Sequence, residues 1–222
     1  MEDFELKANG LSKNFVKNVN IFSDFNINFK NGDVIGLIGD NGSGKSTLLK
    51  ILAGVLSSGK GNIELKVSGN IIDRSKWNKH YSFVAPYVNL YEEFNPYEHY
   101  KVVAALRNIV FDEAKLDKDL KLFKLLKHKY SQIKGFSSGM KQRFKFILAS
   151  QINPLILFLD EPTSNLDEDG IRKVNDLITN QYQSKGALVI ATNEERERAL
   201  CNQTFNIMDY KIGEQYWWIK YY

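Results

Sequence analysis

The chain has 222 residues, 43% of them hydrophobic and 25% charged, the proportions of an ordinary globular protein with room for one sizeable core or one core with an inserted lobe. Its 30 basic and 26 acidic residues leave a net charge of +4 and are well mixed, so no basic arm forms and no nucleic-acid partner is expected. The single cysteine, Cys201, excludes an intramolecular disulfide and fits a reducing cytosol, the acidic start Met1-Glu2-Asp3-Phe4-Glu5 lacks the apolar core of a signal peptide, and no run approaches the roughly 18 apolar residues of a membrane span.

Residues 3 to 38 read as β-rich, with Phe25, Ile27 and Phe29 alternating with Asn26, Asn28 and Lys30. The apolar run Val34-Ile35-Gly36-Leu37-Ile38 predicts a buried strand, and Leu48 to Ala53 a helix start. Between them stand Gly39, Asp40, Asn41, Gly42, Ser43, Gly44, Lys45, Ser46 and Thr47, which satisfy the spacing G-x-x-x-x-G-K-[ST] of a phosphate-cradling loop. Glycines let the backbone turn tightly enough for its N–H groups to face phosphate oxygens, and the following helix adds its positive end. Lys45 would reach the β and γ phosphates, and the Ser46 hydroxyl would ligate magnesium.

Further short strands are predicted within residues 61 to 85, including Ile63 to Val67 and Tyr81 to Val84. The texture then turns helical. Asn95-Pro96-Tyr97-Glu98 has an N-cap residue, proline at the first position and glutamate at the third, and helical spacing continues through Leu116, Leu120, Phe123 and Leu126. After about residue 150 an α/β alternation returns: strand 155–159, helix 167–183, strand 187–191. The strand Leu155-Ile156-Leu157-Phe158-Leu159 ends in Asp160 and Glu161, at the sheet edge where α/β proteins bind ligands. Asp160 is placed to hold magnesium, and Glu161 to polarise an attacking water.

Phe136-Ser137-Ser138-Gly139-Met140 resembles the signature motif of ABC ATPases, which usually reads Leu-Ser-Gly-Gly-Gln; Ser137 and Gly139 match it, and Phe136, Ser138 and Met140 are variants. Ser164-Asn165-Leu166-Asp167 resembles the family's D-loop, and the order and spacing of all these elements agree over nearly the whole chain. The resemblance implies an α/β fold: a P-loop NTPase core at 1–86 and 151–222, an N-terminal antiparallel β portion, and a helical lobe inserted at 87–150. It implies an ATPase that binds ATP and Mg2+ between two subunits facing head to tail. Gly39 to Thr47 would hold the triphosphate, Ser46 and Asp160 the metal, and Glu161 would be the base. Ser137 and Gly139 would reach the nucleotide of the opposite subunit. Phe15 stands where the family places an aromatic against adenine, although a phenylalanine there also serves as core.

Two positions depart from the family pattern. Asn193 follows the strand 187–191 where a histidine commonly contacts the γ-phosphate; an amide donates a hydrogen bond but exchanges no proton. Pro86 falls where a glutamine usually senses magnesium and water, and Asn89 is the nearby polar substitute considered. Slower or more partner-dependent hydrolysis is the expectation.

The leading function is a transport motor coupled to a separate integral membrane subunit, cytoplasmic and peripheral on the inner face of the membrane. Residues 87 to 100 are the expected contact with it. The dimer would form with a second copy or with a related ABC ATPase subunit. An ATP-dependent dimerisation switch that hydrolyses weakly is the alternative; relatives acting on DNA or ribosomes carry long coiled coils or a second ATPase unit, neither of which is seen here. The aromatic end Tyr216-Trp217-Trp218-Ile219-Lys220-Tyr221-Tyr222 reads as a last strand or as an interfacial contact.

Overall fold

The computed structural model describes residues 2–16, 19–177 and 186–211. Two sheets organise them. In the first, β1 (Phe4–Val16) pairs antiparallel with β2 (Val19–Lys30) on one side and β4 (Lys60–Val67) on the other, and β4 pairs with the short β5 (Asn70–Ile71), giving the order β2-β1-β4-β5. The alternation along β2 is as expected: Phe25, Ile27 and Phe29 are buried while Asn26, Asn28 and Lys30 face water.

The second sheet is parallel, with β3 (Val34–Ile38), β6 (Tyr81–Val84), β7 (Ile156–Asp160), β8 (Ala187–Ala191) and β9 (Gln203–Asn206) in the order β6-β7-β8-β3-β9. Every residue of β7 and β8 is buried, as a parallel sheet covered on both faces requires. The period of two divides their side chains between two cores. Ile35, Leu37, Ile156, Phe158, Ala187 and Val189 join a cluster with the first sheet and α1 (Lys45–Leu52). Leu157, Leu159, Leu188 and Ile190 join a second cluster with α2 (Pro96–Leu106), α3 (Glu113–Leu122) and α4 (Ser138–Ser150), the helices that follow β6 and precede β7.

Local sequence explains these helices. Asn95 Oδ1 accepts from the Glu98 N–H and Glu98 Oε2 accepts from the Asn95 N–H, both at 2.9 Å, a reciprocal cap with Pro96 at the first helical position. In α3 the expected apolar spacing holds for Leu116, Leu120 and Phe123 but not for Leu126, which is 41% exposed. Lys124 takes φ 56 and ends the helix, so Leu125 rather than Leu126 turns into the core. The helix expected from Asp167 begins one residue later as α5 (Glu168–Leu177), with Asp167 Oδ1 accepting from the Gly170 N–H at 2.8 Å; positions 178–183 of that expectation lie outside the described residues. The short α6 (Glu195–Arg198) connects β8 to β9. The C-terminal aromatic run, 216–222, also lies outside the described residues.

Candidate active site

The parallel register sets the ends of three strands level. Leu37 of β3 is paired with Ala191 of β8, which is paired with Asp160 of β7. One step further, the Thr192 N–H donates to the Leu37 carbonyl at 3.1 Å and the Glu161 N–H donates to the Ala191 carbonyl at 2.9 Å. The loop after β3, the carboxylates after β7 and Asn193 after β8 therefore emerge at one edge, although 120 positions separate Asp40 from Asp160 in the chain.

The loop from Gly39 to Gly44 leads straight into α1. Gly44 takes φ 111, and a Cβ there would lie 2.3 Å from Ile21 Cγ2 of β2, so backbone shape and space both oppose any other residue. Asp40, Asn41 and Gly42 are exposed, while Ser43 and Lys45 are buried. The Ser43 hydroxyl has no protein partner, which leaves a buried polar atom inside the loop. Lys45 Nζ donates to the carbonyls of Gly39 at 2.6 Å and Asp40 at 3.0 Å, so the ammonium is held by its own loop. Burial pushes the Lys45 pKa below its ordinary value, against the opposing pull of Glu161, Asp160 and Asp40.

Ser46 Oγ donates to Asp160 Oδ1 at 3.0 Å, joining the first turn of α1 to the end of β7. A hydroxyl and a single carboxylate are hard oxygen donors, a set that fits magnesium, which keeps several waters and completes its shell with substrate phosphates. Glu161 takes φ 45, a left-handed conformation costing about 1–3 kcal/mol in a residue with a side chain. Its N–H bond to Ala191 and the Ser164 N–H donated to its carbonyl at 3.1 Å hold that turn. The turn leaves the carboxylate exposed at a cleft of about 400 Å³ lined also by Asn41, Ser164, Asn165, Thr192 and Asn193. Asn193 Nδ2 donates to Asn41 Oδ1 at 2.6 Å, which ties the position after β8 to the phosphate loop.

Ser137 caps α4, its Oγ accepting from the Met140 N–H at 3.2 Å. Gly139 packs against the D-loop candidate: a Cβ there would lie 2.9 Å from the Asn165 carbonyl oxygen. Within this one chain, these two residues thus contact their own helix and the 164–167 loop. Phe15 belongs to β1 by its backbone, but its side chain lies outside the described residues.

Three polar contacts here were not foreseen from sequence. Tyr87 Oη donates to Asp160 Oδ2 at 2.7 Å although the residue is 45% exposed; Asn89, the nearby polar residue considered, is exposed as well. Burial and the nearby Asp160 push the Tyr87 phenol above its ordinary pKa, so it remains a donor. The signal was present as a hydroxyl-bearing residue directly after Pro86. Gln142 Nε2, buried in α4, donates to the Pro162 carbonyl at 3.1 Å. Glu197, 1% exposed, accepts from the Thr163 N–H at 3.0 Å and from the Thr163 hydroxyl at 2.5 Å, fixing the turn beyond Glu161.

Comparison with known proteins gives this geometry a family. The sequence model of the ABC transporter family matches residues 22–164. The lantibiotic transport ATP-binding protein SrtF of Streptococcus pyogenes is 31% identical over 198 residues, covering 85% of this chain and 79% of SrtF. The ABC transporter ATP-binding protein YhcH of Bacillus subtilis is 29% identical over 184 residues, covering 82% of this chain and 60% of YhcH, so the chain spans well under the full length of that relative. A dimeric post-hydrolysis state of the ATP-binding cassette MJ0796, bound to ADP and Pi, superposes with a TM-score of 0.75 at 20% identity, covering 90% of this chain and 93% of that one, and shares its fold. The chain belongs to the ABC transporter family, as an ATP-binding ATPase component with an α/β P-loop fold.

Proposed function

We propose that this chain is the motor subunit of an ABC transporter, binding ATP with Mg2+, closing as a dimer around it and hydrolysing it to ADP and phosphate. The observation that carries the reading is the level edge at which Ser46 meets Asp160 while Glu161 and Asn193 face one cleft. In this reading Gly39 to Thr47 cradle the triphosphate, and Lys45 exchanges its two loop carbonyls for phosphate oxygens. Ser46 and Asp160 hold the magnesium, which when bound supplies charge neutralisation to the phosphates. Glu161 takes the proton of the attacking water, and Asn193, already oriented by Asn41, donates its amide hydrogen to the γ-phosphate. Ser137 and Gly139 complete the opposite subunit's site, and Phe15 lies against adenine.

Residues 1–86 and 151–222 form the nucleotide-binding core of this reading, and 87–150 the lobe that receives the membrane subunit. The exposed ring of Tyr91, next in the chain to Glu92 and Glu93, supports that contact. Among the described residues no helix is long and apolar enough to cross a membrane. In this reading the membrane partner is a separate subunit, and the motor works at the cytoplasmic face.

The test is Mg2+-dependent ATP hydrolysis by the purified chain beside Glu161→Gln, with parallel sizing in ATP. A general base contributes roughly 10²- to 10⁴-fold, so the variant should lose hydrolysis by that factor while trapping an ATP-bound dimer. Equal dimerisation of both proteins with no turnover in either, including with the membrane partner present, favours the dimerisation switch, which Pro86 and Asn193 support.

A further inference from the structure

Asp160 is 2% exposed, and both of its oxygens are engaged: Oδ1 accepts from Ser46 at 3.0 Å and Oδ2 accepts from Tyr87 at 2.7 Å. The Ser46 bond comes from the helix that carries the phosphate loop. The Tyr87 bond comes from the connection between β6 and α2, where Pro86 offers no side-chain donor and no N–H.

The phenol is held in position from two sides. Lys50 Nζ of α1 stands 3.9 Å over the ring centroid, and the Phe83 ring lies 6.4 Å away at 46°. The backbone leading into Tyr87 is held as well, because Lys145 Nζ of α4 donates to the carbonyls of Ala85 at 2.9 Å and Pro86 at 2.8 Å. A hydroxyl whose ring and whose preceding peptides are both pinned is preorganised to hold one carboxylate oxygen in a fixed direction.

We propose that Tyr87 is the positioning residue for the metal-holding carboxylate: its hydroxyl orients Asp160 from the β6–α2 connection and takes over there the polar task that Pro86 leaves undone. Hydrogen bonds to a ligating carboxylate fix its orientation, and losing one costs about 10- to 100-fold in metal affinity. The same bond makes the Asp160 carboxylate sensitive to the position of α4, through Lys145 and residues 85–86. This inference rests on the reading of Ser46 and Asp160 as the magnesium pair.

The experiment measures Mn2+ binding by loss of the free-ion electron paramagnetic resonance signal, titrating Mn2+ into the purified full chain held in excess over ADP, with the loss caused by the same ADP without protein subtracted. Native protein, Tyr87→Phe and Asp160→Asn are compared, and ADP affinity in EDTA and thermal midpoint are recorded for each. Tyr87→Phe keeps the ring against Lys50 and Phe83 and removes only the donor. It is expected to weaken Mn2+ binding at least tenfold while ADP affinity in EDTA stays within twofold of native. Mn2+ affinity within twofold of native overturns the role of Tyr87 when Asp160→Asn still abolishes binding. An equal loss of Mn2+ and of metal-free ADP binding also overturns it, since that is the mark of a merely structural tyrosine. If native protein and Asp160→Asn bind Mn2+ equally, the metal pair itself is misread and this inference falls with it.

Discussion

Gly44 is where the antiparallel sheet and the phosphate loop press on each other, and Gly44→Ala tests that contact. The added Cβ would start 2.3 Å from Ile21 Cγ2, more than an ångström inside the usual 3.5–4.0 Å carbon contact, at a backbone φ of 111. The left-handed backbone contributes about 1–2 kcal/mol of strain and the overpacking about 1–3 kcal/mol, so the variant should be destabilised by about 2–5 kcal/mol. Ile21→Ala removes the clashing atom and separates the two causes. Alone it should cost about 1–2 kcal/mol, less than a fully buried isoleucine, because Ile21 is only partly buried. In the double variant the strain remains and the overlap is gone, so the two costs should fall short of additivity by about 1–3 kcal/mol. Urea unfolding of the four proteins measures the cycle, and ATP affinity measured alongside should stay weakened in the double variant, because the loop backbone is still forced. Additivity within about 0.5 kcal/mol would refute the account by showing that Ile21 does not hold the loop against Gly44.

Two further predictions concern titratable groups, the buried Glu197 and the half-buried Cys201. Burial raises the Glu197 pKa, so between the unfolded and folded values the folded chain binds more protons and stability falls as pH rises through that window. Glu197→Gln abolishes this dependence; its thermal midpoint minus that of the native chain should grow from pH 4.5 upward and then level off, and a difference constant with pH refutes the assignment. Burial, and then Glu197, push the Cys201 thiol from an ordinary 9.0 to about 11. At pH 8 its thiolate should be roughly a hundredfold scarcer than that of an ordinary thiol and iodoacetamide alkylation correspondingly slow, with the rate still climbing past pH 10; alkylation as fast as free cysteine would contradict it.

The turn from Gly39 into α1 was readable in the sequence because backbone geometry restricts which residues can stand at Gly39 and Gly44. Asp160 and Glu161 were readable because a fully apolar strand ending in two carboxylates leaves them one place to emerge. The start of α2 was readable because a cap is a local bond between Asn95 and Glu98. Tyr87 was not readable in the same way. Its bond to Asp160 spans 73 positions and depends on the lateral order β6-β7, which no local pattern states. Glu197 belongs to the charged run 194–198, whose composition alone describes a solvated helix face; only the short length of α6 between β8 and β9 turns it beneath Thr163. Leu126 failed because one left-handed residue, Lys124, shifted the apolar register by a position.

Of the two departures from the family pattern, only Asn193 changes how the site is charged, since the glutamine usual at Pro86 is itself neutral. At both positions the structure presents a neutral donor: the Tyr87 phenol at Asp160 and the Asn193 amide at Asn41. A histidine after β8 would add a group that titrates near neutrality, whereas an amide donates in the same way at every physiological pH. The chain's three histidines are placed elsewhere. His99 accepts from the Tyr91 N–H and packs on Phe144, His128 packs on Phe136, and His80 caps the turn before β6. Around the level strand ends Lys45 stands among Asp40, Asp160 and Glu161, Lys50 lies over the Tyr87 ring, and Glu194, Arg196 and Glu197 line the cleft beside Glu161 and Asn193. Under the reading proposed above, the Asn193 amide contacts phosphate with no titration of its own, and control of the metal falls on the orientation of the Asp160 carboxylate.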